Sequence, residues 1–149
     1  GSGCSTIICA QALADNSAER APGFLYSLDA EAHWGQITIA SMPEHLRSFC
    51  DIIITERVED MLADVPVWRF AKIPDIVPNM IYLDGPALTP ERRAAIDVLD
   101  MEERFPPGFR LLVDGRSFNR ALLEKHFKRR YERHHRPILK STTYDLLPD

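Results

Sequence analysis

The chain has 149 residues, 45% of them hydrophobic and 27% charged, with a formal net charge of −4 at neutral pH. That length corresponds to one domain, residues 1–149, and the acidic balance argues against a general nucleic-acid binder, which carries a basic excess. Cys4, Cys9 and Cys50 make an odd count with no C-x-x-C spacing, so they read as reduced thiols in a cytoplasmic setting. No apolar run approaches the ~20 residues needed to cross a bilayer, so no membrane partner is expected.

In chain order, short apolar runs alternate with longer helical patterns. "TIICAQALADN" (6–16) places Ile7, Ala10 and Leu13 on one side of a helix that Ser5 or Thr6 can cap. "GFLYSLDAE" is a strand-like run ending in acid. "HWGQITIASMPEHLRSFC" is mixed, with Pro43 suited to the first turn of a helix through Cys50. "DIIIT" is apolar and β-branched, as strands are. "VPVWRFAKI", bracketed by Pro66 and Pro74, reads as an edge strand or an extended loop. "NMIYLDGP" is a third apolar run.

"TPERRAAIDVLDMEERF" then predicts a helix capped by Thr89 with Pro90 in its first turn, stopped by "FPPG". "FRLLVDGR" is a fourth apolar run. The stretch from Ser117 through "KHFKRRYERHHR" predicts one long amphipathic helix, with Phe118, Leu122, Leu123, Phe127 and Tyr131 on its inner face. One or two short strands close the chain. Helices between buried, non-alternating strands imply an α/β fold of the doubly wound class, a mostly parallel sheet with helices on both faces. Ligands of such sheets bind beyond the carboxyl ends of the strands. Three apolar runs end in an acid there: Asp29, Asp84 and Asp114.

Taken together, "GSGCST" before a helix, "YSLDAE", "IYLDGP" and "PPGFRLLVDGR" resemble the class I S-adenosylmethionine-dependent methyltransferases, in an order that runs over essentially the whole chain. The resemblance implies a Rossmann-like domain lacking its first strand. It also implies a glycine turn (Gly1, Gly3, Ser5) against the methionine part of S-adenosylmethionine, and Asp29, with Glu31 second, on the ribose hydroxyls. Backbone can come close to a ligand only where side chains are absent, and a carboxylate accepts two hydrogen bonds from a diol. Asp84 falls near the methyl-transfer site in that family. The chain departs from the family at Ser5, which stands for a third glycine, and in lacking an acid ahead of the turn. Gly1 and Gly3 then belong to a cofactor motif cut at its strand, rather than to a linker scar. That strand would lie between those ending at Asp29 and Asp84, leaving two unpaired edges.

Asp84 and Asp114 are the catalytic candidates, and Arg116 the substrate-binding one. In the catechol-type branch of the family, acids at these places bind Mg2+. Asp114-Gly115 lacks the amide ligand of that branch, so a metal is the lesser alternative to acids that cap turns. Arg116 can grip a carboxylate or phosphate, or pair with Asp84 or Asp114. His33 and Trp34 follow the ribose acid, where an aromatic ring can lie against adenine or pack in the core, and His45 reads as a surface histidine ahead of an acid–base group. His134-His135 reads as a helix terminus, because adjacent residues do not share a helix face. The expected function is methyl transfer to a small-molecule acceptor such as a sugar or another hydroxylated metabolite, by a protein that could form a homo-oligomer. The alternatives are a non-catalytic binding or assembly domain, and a nucleotide-sugar or dinucleotide enzyme. The last is weakened by Thr6 at the sixth position of the glycine pattern.

Overall fold

The computed structural model describes residues 3–18, 23–85 and 93–148. Gly1, Thr89 and Pro90 lie outside the described residues. The chain forms two compact units, Gly1–Arg57 with Phe70–Pro74, and Val58–Arg69 with Asp75–Asp149.

In the first unit, helix α1 (Cys4–Asn16) leads to strand β1 (Leu25–Asp29), helix α2 (Ala32–Ser41), a 3-10 segment (Glu44–Phe49) and strand β2 (Cys50–Ile54). Strands β1 and β2 pair in parallel, Leu25 opposite Cys50 and Asp29 opposite Ile54. The cap of α1 is Gly3 rather than Ser5 or Thr6. Its φ of 145° lies in the region that favours glycine, and its carbonyl accepts the Thr6 and Ile7 N–H groups. Thr6 instead reaches sideways to the Ser27 hydroxyl at 2.9 Å, tying α1 to β1. Ala10, Met42 and Leu46 make a small core, with Ile7, Ala14, Cys50 and Ile52 against it. Helix α2 crosses β2 closely because Gly35 has no side chain. A Cβ there would stand 2.6 Å from Ile54 Cγ1. The expected helix through Cys50 is a 3-10 segment that stops at Phe49, and Cys50 opens β2.

The second unit holds β3 (Arg57–Leu62), β4 (Val65–Phe70), β5 (Met80–Leu83), β6 (Ala94–Ala95), helix α3 (Asp97–Met101), a 3-10 turn (Glu102–Arg104), β7 (Arg110–Val113), helix α4 (Ser117–His126), β8 (Tyr131–Arg136) and β9 (Ser141–Leu146). One sheet runs β3-β4-β6 and the other β5-β7-β9-β8. In the second, β5 and β7 are parallel, and β9 runs antiparallel to both β7 and β8.

This overturns the expected doubly wound, mostly parallel Rossmann-like sheet. Three separate small sheets are present among the described residues, and the largest is mixed. "VPVWRF" lies between β3 and β6 rather than at an edge. Of the helix expected from Thr89, the described part is helical only over Asp97–Met101, because Ala94 and Ala95 are spent pairing with Val67 and Trp68.

The long C-terminal helix is the clearest correction. Helix α4 ends at His126, and "YERHHR" is a strand paired along its length with β9. A carboxylate explains the break. Glu102 has no solvent exposure, and its two oxygens accept the backbone N–H groups of Lys128 (2.9 and 3.1 Å) and Arg129 (3.0 Å) and the Tyr131 hydroxyl (3.1 Å). In a continuing helix those N–H groups would bond to carbonyls one turn back. Here consecutive N–H groups turn inward to an anion. Arg129 then donates to the Phe105 carbonyl at 2.8 Å, fastening the other side of the turn.

Two substitutions test this packing. Glu102→Ala leaves buried N–H donors without an acceptor and should cost about 3 kcal/mol, read as a lower urea midpoint, with Glu102→Gln intermediate. An unchanged midpoint in the alanine variant would show that the turn stands without the carboxylate. Gly35→Ala should cost about 1–3 kcal/mol by forcing α2 off β2, and Ile54→Ala in the same chain should recover part of the loss.

Candidate functional site

The second unit carries the densest chemistry. Leu83 and Val113 are opposite each other in parallel β5 and β7, so the next residues, Asp84 and Asp114, emerge side by side at the strands' carboxyl ends. The Asp114 N–H donates to the Leu83 carbonyl at 3.1 Å, extending the ladder and setting this spacing. Asp114 is close enough for its charge to act directly on Asp84. Partial burial, then the neighbouring Asp114 carboxyl and its charge, push the Asp84 carboxyl above its ordinary value, and Arg116 opposes this. Like-charged carboxylates this close cannot both ionise freely.

The surrounding loops are fixed by α4. Arg116 is its N-terminal cap residue, and its guanidinium lies 3.8 Å from Asp84 Oδ1. The sequence offered Arg116 either a substrate or an acid, and in the structure it faces the acid. Asn119 is buried at 3% exposure and donates from Nδ2 to the Gly85 carbonyl at 3.3 Å, holding the turn after β5. Sequence reasoning missed Asn119. The inner stripe of α4 is Asn119, Leu122 and Leu123, and Phe118 faces outward at 41% exposure. A shift of one residue in the helical stripe would have revealed it.

In the first unit, Asp29 ends β1 and is 4% exposed. Its Oδ1 accepts the Glu31 N–H at 2.9 Å, and its carbonyl accepts the Thr55 N–H. This short turn aims the carboxylate at the strand end. Glu31, the second-choice ribose ligand, is exposed and pairs with Arg57 at 3.0 Å. Gly3 and Ser5 begin α1, and no atom lies within 4 Å of where a Gly3 Cβ would stand.

The remaining candidates are placed elsewhere. His33 and Trp34 are exposed at the start of α2, edge to face with one another. His45 is exposed beside Gln11 at 3.3 Å. His134 and His135 form part of β8 rather than a helix terminus. His134 lies near Glu132 and Asp145, and His135 bonds to the Thr142 hydroxyl. The three cysteines are free thiols, and burial pushes Cys9 and Cys50 up. A wide depression of about 310 Å3 beside Met42, Cys50 and Ile52 includes none of the proposed site residues. Among the described residues, no three His, Cys, Asp or Glu side chains are grouped to hold a metal ion, and no helix is long and apolar enough to cross a membrane. No family model, curated protein or solved structure matches the chain.

The acid pair has a measurable signature. A carboxyl whose folded pKa is raised binds its proton more tightly in the folded state. Its contribution is therefore full below the unfolded value of about 3.9 and is lost as pH rises through the folded value. Asp84→Asn should remove that loss, so the stability of the variant relative to wild type should improve as pH is raised from the ordinary carboxylate range toward neutrality. Urea unfolding of both proteins across that range reads the difference. A constant offset would mean that folding does not raise the proton affinity of Asp84. Asp145, held low by its two-pronged bond to Arg110, titrates with the opposite sign in both proteins and cancels.

Proposed function

We propose that the chain serves in transfer of a methyl group from S-adenosylmethionine to an oxygen of a small hydroxylated acceptor, such as a sugar, in the cytoplasm. The observation that carries the reading is the Asp84–Asp114 pair, two carboxyls at adjacent parallel strand ends with the Arg116 guanidinium 3.8 Å from Asp84 Oδ1. An acceptor hydroxyl must lose its proton as it forms the new bond. A carboxylate with raised proton affinity, placed at a strand end, suits that task better than an ordinary surface acid.

The residues assigned to the cofactor are compatible with it. Gly3 leaves open space beside the backbone at the start of α1, and Asp29 holds a carboxylate oriented by the Glu31 N–H, which suits a ribose diol. Ser5 stands in the first turn of α1, and Glu31 is the lesser choice because Arg57 already engages it. When bound, the cofactor supplies a methyl group already activated on a positively charged sulfur. The ionised member of the acid pair accepts the acceptor's proton, while Arg116 stabilises the charge that remains on the pair. Positioning and exclusion of water supply the rest, so no metal ion is needed.

Calorimetry with S-adenosylhomocysteine tests the cofactor assignment. Saturable binding is expected, and Asp29→Ala should abolish it. Failure of the folded wild-type protein to bind would overturn the reading, and saturable binding of NAD instead would move it to the dinucleotide class. In a transfer assay Asp84→Asn and Asp114→Asn should each lower turnover by roughly 10²-fold with binding retained.

A further inference from the structure

The antiparallel strands β8 and β9 end their pairing at Arg136 opposite Ser141, so Pro137 to Lys140 form the connecting turn. The Lys140 N–H donates to the Pro137 carbonyl at 3.2 Å and closes it. Two large apolar side chains stand at its apex. Ile138 is 95% exposed, the highest value of any large apolar residue among those described, and Leu139 is 64% exposed. Arg136 and Lys140 flank them, both exposed, and neither has an ion-pair partner among the described residues. Further down the hairpin Arg133 is matched by Glu124, and His134 lies within 3.7 Å of the Glu132 and Asp145 carboxyls.

The order along the hairpin is thus apolar apex, unpaired cations, then neutralised charges. It mirrors the order met on approaching a bilayer from within, where hydrocarbon gives way to phosphate and then to water. A convex apex of two side chains would need a matching socket in a folded protein partner. The lipid interface accepts such a wedge without one, and free cations at its base are complementary to anionic headgroups. We propose that this hairpin tip docks the protein reversibly on an anionic lipid surface, with Ile138 and Leu139 entering the interfacial layer and Arg136 and Lys140 meeting lipid phosphates. Surface docking needs no spanning segment, so the lack of a long apolar run in the sequence does not bear on it. The tip also lies against the turn after β7, since a Cβ on Gly115 would stand 2.8 Å from the Lys140 carbonyl oxygen. The docked edge is therefore the one that carries Asp114 and Arg116. The inference does not depend on the methyl-transfer reading.

Co-sedimentation with phosphatidylcholine vesicles, with and without phosphatidylserine, tests it. Binding is expected to vesicles containing phosphatidylserine and to weaken at high salt. Ile138→Asp with Leu139→Asp, and separately Arg136→Ser with Lys140→Ser, should each reduce it by roughly tenfold or more. All four side chains are exposed, so both variants should keep the wild-type thermal midpoint and circular dichroism. No binding to anionic vesicles would overturn the proposal, as would binding undiminished in the apex variant. It would equally fall if the apex substitutions changed the oligomeric state in solution, because the tip would then be covered by a second copy.

Discussion

The architecture of the second unit depends on one buried carboxylate. Glu102 withdraws the N–H groups of Lys128 and Arg129 from any helical ladder and holds them, with the Tyr131 hydroxyl, in a solvent-free site. Burying a charge is costly unless hydrogen bonds replace its water. Here donors of fixed position do so, which makes the arrangement specific to one chain path. Once α4 is stopped, the following residues are free to run back as β8, and β9 can then lie between β7 and β8. Aromatic packing reinforces the turn. Phe127, Tyr131 and Tyr144 contact one another, and Tyr144 donates to Glu124 at 2.6 Å.

That hairpin is what sets the place of the acid pair. Strand β7 is held between β5 and β9, so its carboxyl end cannot shift along its neighbours without breaking two ladders. The register brings Asp84 and Asp114 together, and α4, starting immediately afterwards, presents its N-terminus and Asn119 to the same turns. Negative charge is favoured near a helix N-terminus, which offsets part of the repulsion between the two acids.

The local signals in the sequence were legible and the long-range ones were not. Apolar runs at "LYSLD", "DIII", "MIYL" and "RLLV" all became strands, and Asp29, Asp84 and Asp114 stand at the ends of three of them. The parallel pairings β1–β2 and β5–β7 agree with crossover connections. What failed was the inference from strands and helices to a single parallel sheet. "KHFKRRYERHHR" has the charge density and spacing of a solvated helix, and nothing local marks His126 as its last residue. The cause is Glu102, some distance away in the sequence and within "MEERF", where it resembles any surface glutamate of a helix. "RRAAIDVL" failed similarly, because Ala94 and Ala95 fit either a helix or a narrow strand, and pairing with β4 decided between them. Tertiary partners override propensity where the local preference is weak.

The two units are not equally provided for. The first has a two-stranded sheet and a small core around Ala10, Met42 and Leu46. It leaves Ile8, Phe24, Trp34, Ile37 and Ile39 at 41–67% exposure. Two strands alone are marginal in water, so its stability rests on α1 and α2, and on contacts such as Thr6 to Ser27 and Gly35 against Ile54. Strand β1 has one hydrogen-bonded neighbour among the described residues, as has β5. Asp29 therefore sits in the part of the molecule held by fewer interactions, whereas Asp84 and Asp114 sit on a four-stranded sheet closed by the Glu102 turn. Regions that bind ligands are drawn from the less stable end of a structure because they must open. A buried Asp29 can reach a ligand only through such opening.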